Sequence, residues 1–204
     1  GLTKPLDLPE LMPLYELMTK YDLPIWIHPR RGPSIVDYTS EDESKYRVWF
    51  MFGWPYETTV AMTRLVFSGV LDRYPNLKII THHCGAMVPF LANRIKRQYE
   101  FAEARCATNY VWKFSKPPVE YFRMFYADTA LHGNTPALMC GRAFFGVDRI
   151  LFGTDAPNDS EIGNQSTRET IEAIEQMNIP ESEKQKIFQD NAKAIMNLEM
   201  PEDG

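Results

Sequence analysis

Apolar positions in this chain follow two patterns, stretches at helical spacing and short unbroken runs. Leu11, Leu14, Leu17 and Met18 recur at helical spacing and predict a helix over 7–21. Pro9 suits its first turn, while Pro13 either kinks the helix or moves its start later. Ile25-Trp26-Ile27-His28, bracketed by Pro24 and Pro29, predicts a short buried strand. Residues 30–54 are polar, aromatic and irregular, a loop of the length that serves as a lid or binding loop. Val60, Leu65, Val66, Val70 and Leu71 predict a helix over 57–73, broken by Pro75-Asn76. A strand over 77–83 follows, with a turn at Gly85, then a helix over 88–104 bearing Arg94, Lys96 and Arg97. Past a loop over 106–121, strands are expected over 124–128 and 149–155, with helices over 135–145, 167–177 and 182–198. Ser182 and Gln185 fit a capping box at the start of the last.

Helices alternating with apolar strands predict a parallel α/β sheet with helical crossovers. The polar residues on the strands then share one location. His28, His82 and His83, Asp128 and Asp155 all fall at C-terminal strand ends, the face where parallel α/β proteins bind ligands.

Composition narrows the function classes. The 204 residues are 44% hydrophobic with 12 Phe, 10 Tyr and 4 Trp, which excludes a disordered chain. No apolar run approaches the roughly 20 residues of a membrane span. A net charge of -5 gives no general basic face for nucleic acid. Cys84, Cys106 and Cys140 are sparse and odd in number, which points to reduced thiols and a cytoplasmic setting. The ten Met residues form no stripe and read as core filler.

His and Asp converging from several strands suit a divalent metal such as Zn, Mn or Fe. Each candidate has a plainer reading beside the functional one. His28 is a ligand or a hydrogen-bonded structural histidine, and Asp155, before Ala156-Pro157, is a ligand or a helix cap. His82 and His83 are neighbours on a strand, so one is expected to face the site and the other to turn away. Asp128 reads as a support to the site. Cys84 beside His83 makes a poor nucleophile pair for the same alternation, and His132 reads as a loop residue. Arg30 and Arg31 either hold a substrate carboxylate or are solvated loop charges, and Trp54, Phe52 and Tyr56 either line an aromatic pocket or pack the loop.

These residues carry a resemblance. Pro24-Ile25-Trp26-Ile27-His28-Pro29 resembles the fifth-strand motif of the amidohydrolase-related, metal-dependent decarboxylases, the family of aminocarboxymuconate semialdehyde and resorcylate decarboxylases. The stretch 67–79, with Tyr74-Pro75-Asn76-Leu77-Lys78-Ile79, resembles the entry to the sixth strand and continues into His83-Cys84-Gly85-Ala86-Met87-Val88-Pro89-Phe90. Leu151-Phe152-Gly153-Thr154-Asp155-Ala156-Pro157 resembles the last-strand metal motif. The stretches keep the family's order across nearly the whole chain.

The resemblance implies a (β/α)8 barrel with one divalent metal, most often Zn. His28 and Asp155 would be ligands, His83 the acid/base group near the metal, His82 the outward neighbour and Asp128 its support. The substrate it implies is a small carboxylic acid, for which Arg30 and Trp54 are the candidate contacts read above, and the open sheet edges of a half-barrel point to a homo-oligomer or to a missing half. The expected reaction is non-oxidative decarboxylation. The alternatives are hydrolysis of a lactone or related ester, or a non-catalytic half-barrel. The family's first strand carries His-x-His or Glu-x-His, and the four His here form no such pair. Because a complete barrel typically takes about 250 residues, residues 1–204 are expected to be a single partial barrel domain, strands five to eight.

Overall fold

A computed structural model describes residues 4–105 and 113–198. Its four short strands are β1 (Ile25–Ile27), β2 (Ile79–Thr81), β3 (Tyr126–Asp128) and β4 (Ile150–Leu151). They form one parallel sheet in the order β1-β2-β3-β4. Ile25 pairs with Ile79, Ile80 with Tyr126, and Ala127 with Ile150. Sequential parallel order with a helical crossover after each strand is the arrangement of a barrel segment, and both β1 and β4 are edges of this sheet.

The connecting helices fill one face. Gly53–Phe67 covers β1 and β2 through Met62, Leu65 and Val66, all at most 1% exposed. Ile79 and Ala127 reach the same cluster with Tyr121, Phe122 and Phe125. On the opposite face Ile80 and Leu151 meet Ile195, which brings the terminal helix Asn191–Met196 against the sheet. β2 is buried along its whole length, whereas edge strand β1 leaves Trp26 50% exposed.

Several boundaries differ from the sequence expectation for identifiable reasons. Pro13 does move its helix start: a 3-10 turn (Pro9–Leu11) precedes the helix Met12–Lys20. The helix expected from 57 begins at Gly53, and the loop before it holds a turn of helix at Val48–Met51. Gly69, at φ 78°, separates Gly53–Phe67 from a short helix Val70–Arg73. The helices Val88–Ala104 and Thr135–Phe145 match their expected spans, and the latter is capped by Asn134, whose side chain accepts from the Ala137 N–H. The expected capping box is not formed. Pro180 precedes the helix Glu181–Gln185, so Ser182 lies inside its first turn. Among the described residues no helix is long and apolar enough to cross a membrane.

Candidate metal centre at the strand ends

His28 follows the last residue of β1. Its Nδ1 lies 2.6 Å from the Pro29 carbonyl oxygen. A carbonyl only accepts, so Nδ1 carries the proton and Nε2 keeps a free lone pair. Partial desolvation of the ring, then the neighbouring His82, hold its pKa below the usual histidine value, against the opposing pull of the Pro29 carbonyl.

At the end of β2 the structure corrects the expected alternation. The strand stops at Thr81, and His83 and Cys84 turn into the left-handed region at φ 55° and 53°. The period of two no longer applies, so both histidines reach the site. His82 does not turn outward. Its ring stands 4.6 Å from that of His28 and stacks on Trp26 at 5.4 Å. His82 Nδ1 lies 2.9 Å from Asp128 Oδ2, at ion-pair distance but without the alignment of a hydrogen bond. His83 is buried, and its Nδ1 lies 2.9 Å from the Ala130 carbonyl oxygen, which leaves Nε2 as its exchangeable position.

Asp128 ends β3 fully buried, and its Oδ1 accepts the backbone N–H groups of Cys84 and Ala130, each at 3.1 Å. This carboxylate ties the turn after β2 to the end of β3 and presents its other oxygen to His82. Asp155, four residues beyond β4, has φ 63° and a side chain only 4% exposed. Among the described residues its one ion-pair contact is His132 Nε2 at 4.0 Å, and Asn158 Nδ2 donates to it at 3.3 Å.

Donor atoms of His28, His82 and Asp155 all lie within 4.8 Å of one another. Two imidazoles and a carboxylate are a donor set that suits a divalent transition metal. A nearly buried carboxylate without a close cation is costly, and a bound metal would offset that cost. The residues present therefore fit such an ion. Positive φ is uncommon outside glycine, yet His83, Cys84, Ala86, His132 and Asp155 all adopt it around this one place.

Beside the donors a cavity of about 290 Å³ is lined by Phe50, Met51, Trp54, His83, Leu131, His132 and Asp155 among others. Trp54 lines it, with its indole N–H donating to the Arg31 carbonyl at 2.8 Å. His132, read as a loop residue, reaches the same cavity and stacks on His83 at 6.4 Å. Arg30 does not line it; it borders a second cavity, with His28, Glu57 and Arg64. Arg31 lies against the Tyr56 ring, and Phe52 is exposed at 62%. Cys84 is buried, and burial, with Asp128 beside it, pushes its thiol pKa well up, which removes it as a nucleophile. Cys84 and Cys140 are free thiols, and Cys106 lies outside the described residues. Sequence reasoning missed Glu57 and the inward turn of His82. The second had one visible sign, Gly85 close behind the two histidines.

The sheet order is that of a segment of a parallel α/β barrel, with a candidate metal centre in the histidine and aspartate donors at its C-terminal ends. The sequence matches the amidohydrolase family over residues 2–198, and the chain belongs to that family. It is 30% identical to a gamma-resorcylate decarboxylase of Polaromonas sp. over 193 residues, 94% of this chain and 56% of that protein. It is 29% identical to a 2-amino-3-carboxymuconate-6-semialdehyde decarboxylase of Dictyostelium discoideum, covering 96% of this chain and 51% of that protein. Among solved structures, it is similar to a dihydroxybenzoic acid decarboxylase from Polaromonas sp. JS666 with bound manganese and the inhibitor 2-nitroresorcinol. That similarity has a TM-score of 0.78 and 27% identity, and covers 97% of this chain and 56% of that one. The chain thus spans about half the length of the curated relatives it matches.

Proposed function

We propose that the protein carrying this chain is a divalent-metal-dependent, non-oxidative decarboxylase of small aromatic carboxylic acids. The observation that carries the reading is the convergence of His28, His82 and Asp155 donors within 4.8 Å beside an aromatic-walled cavity. Decarboxylase relatives from two unlike organisms support the choice of reaction. In this reading residues 1–204 are one partial barrel domain, and further strands or a second copy cover the open edges of β1 and β4.

His28 Nε2, His82 and the Asp155 carboxylate would hold the metal, manganese or zinc. When bound, such an ion supplies Lewis-acid polarisation of a substrate oxygen. The chain's own residues do the rest. Phe50, Trp54 and Leu131 offer flat apolar walls to an aromatic ring. His83, held through Nδ1 by the Ala130 carbonyl, presents Nε2 to the cavity. In its doubly protonated form His83 keeps the Nδ1 proton on the Ala130 carbonyl and passes the Nε2 proton to the ring carbon that bears the carboxylate, ending as the neutral imidazole. The carbon–carbon bond then breaks, its electron pair returns to the ring and restores the aromatic system, and CO2 leaves. Asp128 holds His82 and the turn that carries His83.

His83→Ala in the complete enzyme tests the assignment, with gamma-resorcylate as substrate and released CO2 as the readout. Turnover is expected to fall by at least about 10²-fold while bound metal, measured by elemental analysis, stays at the wild-type level. Undiminished CO2 release in this variant would remove His83 from the mechanism. Ring-opened acid from a lactone, without CO2 from any aromatic acid, would instead establish a hydrolase. A folded protein that takes up no divalent ion would support a non-catalytic barrel segment.

A further inference from the structure

Glu57 takes no part in the chemistry described above, yet its carboxylate is tied to the backbone beside His28. A single oxygen, Oε2, accepts the backbone N–H of Arg30 at 2.6 Å and that of Arg31 at 2.5 Å. Two successive amides converging on one oxygen is how backbone forms an anion-binding nest. Three residues earlier on the same helix, Trp54 donates its indole N–H to the Arg31 carbonyl. Gly53, one residue before that, lets the Arg31 side chain lie against the helix: a Cβ there would stand 2.5 Å from Arg31 Cδ. The first turns of Gly53–Phe67 therefore grip the segment that leaves His28.

The grip reaches the histidine through one peptide unit. The Pro29–Arg30 peptide is trans and planar, so its C=O and N–H point in opposite directions. Its N–H is bound by Glu57, and its C=O accepts from His28 Nδ1. Fixing one end of the plane fixes the other. A carboxylate on the N–H also polarises the unit, so the carbonyl becomes a stronger acceptor and the imidazole a better electron donor at Nε2. We propose that Glu57 is a positioning residue for the metal centre, acting on His28 through the Pro29–Arg30 peptide. This rests on the reading of His28 as a metal ligand.

The test uses Mn(II) titration of the full protein, followed by calorimetry, together with ¹⁵N NMR of the His28 ring in metal-free protein. Glu57→Ala is expected to weaken Mn(II) binding about 10–100-fold and to let His28 sample both neutral tautomers. Glu57→Gln retains an oxygen that can accept both N–H groups and loses only the charge. It is expected to keep the Nδ1–H tautomer and weaken Mn(II) binding by about a few-fold. A folded Glu57→Ala variant with wild-type Mn(II) affinity and a wild-type His28 tautomer would overturn the proposal. Should Glu57→Ala fail to fold, wild-type affinity in Glu57→Gln would overturn it instead. If the wild-type protein takes up no Mn(II), the metal reading itself falls. The metal-free NMR comparison still decides whether Glu57 sets the His28 ring.

Discussion

The first two strands each end in histidine, and they hold it in opposite ways. β2 lies inside the sheet, buried on both faces, and His82 and His83 follow it into a turn fastened by the buried Asp128. β1 is an edge strand, and His28 emerges from it exposed, held by a neighbouring carbonyl and a helix-borne clamp. At β2 the donor is positioned by the same contacts that stabilise the core. At β1 the donor is positioned by contacts that lie outside the buried core. Stability and metal binding should therefore separate at one end and remain coupled at the other.

The largest effect is expected at Asp128. Asp128→Ala leaves the Cys84 and Ala130 N–H groups buried without an acceptor. At about 1–3 kcal/mol for each such group, a loss of about 3 kcal/mol is expected from urea unfolding, together with loss of metal. Asp128→Asn, whose carbonyl oxygen can still accept both N–H groups, should recover most of the stability. If the two variants unfold at the same urea midpoint, those hydrogen bonds do not hold the turn, and the coupling at β2 is broken.

Gly141 sharpens the same point with a smaller effect. A Cβ on this residue of Thr135–Phe145 would stand 2.1 Å from Cys84 Sγ but 3.8 Å from Cys84 Cβ. Gly141→Ala should therefore destabilise by about 2 kcal/mol through overpacking and disturb the turn that carries His83. Cys84→Ala in the same chain removes the clashing sulfur and should restore much of that loss. A double-mutant cycle measures the coupling, and simple additivity of the two single effects would refute the contact.

The contrast between these strand ends was only half visible in the sequence. Runs such as 25–28 and the polar residues that close them located each of the four described strands and placed His28 and Asp155 on one face, because burial and period act locally. The alternation argument failed at His82 and His83, since it assumes that the strand continues. The turn that ends β2 holds His83, Cys84 and Ala86 at positive φ, which their residue types do not announce, so that Gly85 was its one visible sign, and it is fastened by Asp128 from another strand. Glu57 was equally hidden. Its role depends on a pairing 26 and 27 residues away in the chain, and on its helix beginning at Gly53 rather than at 57.

The smallest expected change in stability is at His28. The residue is exposed and its one described polar contact is with the adjacent Pro29 carbonyl, so His28→Ala removes little that the folded chain relies on. Its unfolding free energy should stay within about 0.5 kcal/mol of wild type. Metal binding responds differently, because one of three converging donors is gone. Mn(II) affinity should fall at least about tenfold in a protein that unfolds at the wild-type urea midpoint without metal. The same two measurements on Asp128→Ala should move together. A His28→Ala variant that loses stability as Asp128→Ala does would mean that β1 is a core strand after all. Unchanged Mn(II) affinity would mean that the metal is held without it, and the distinction between the edge and the centre of this sheet would no longer describe its metal site.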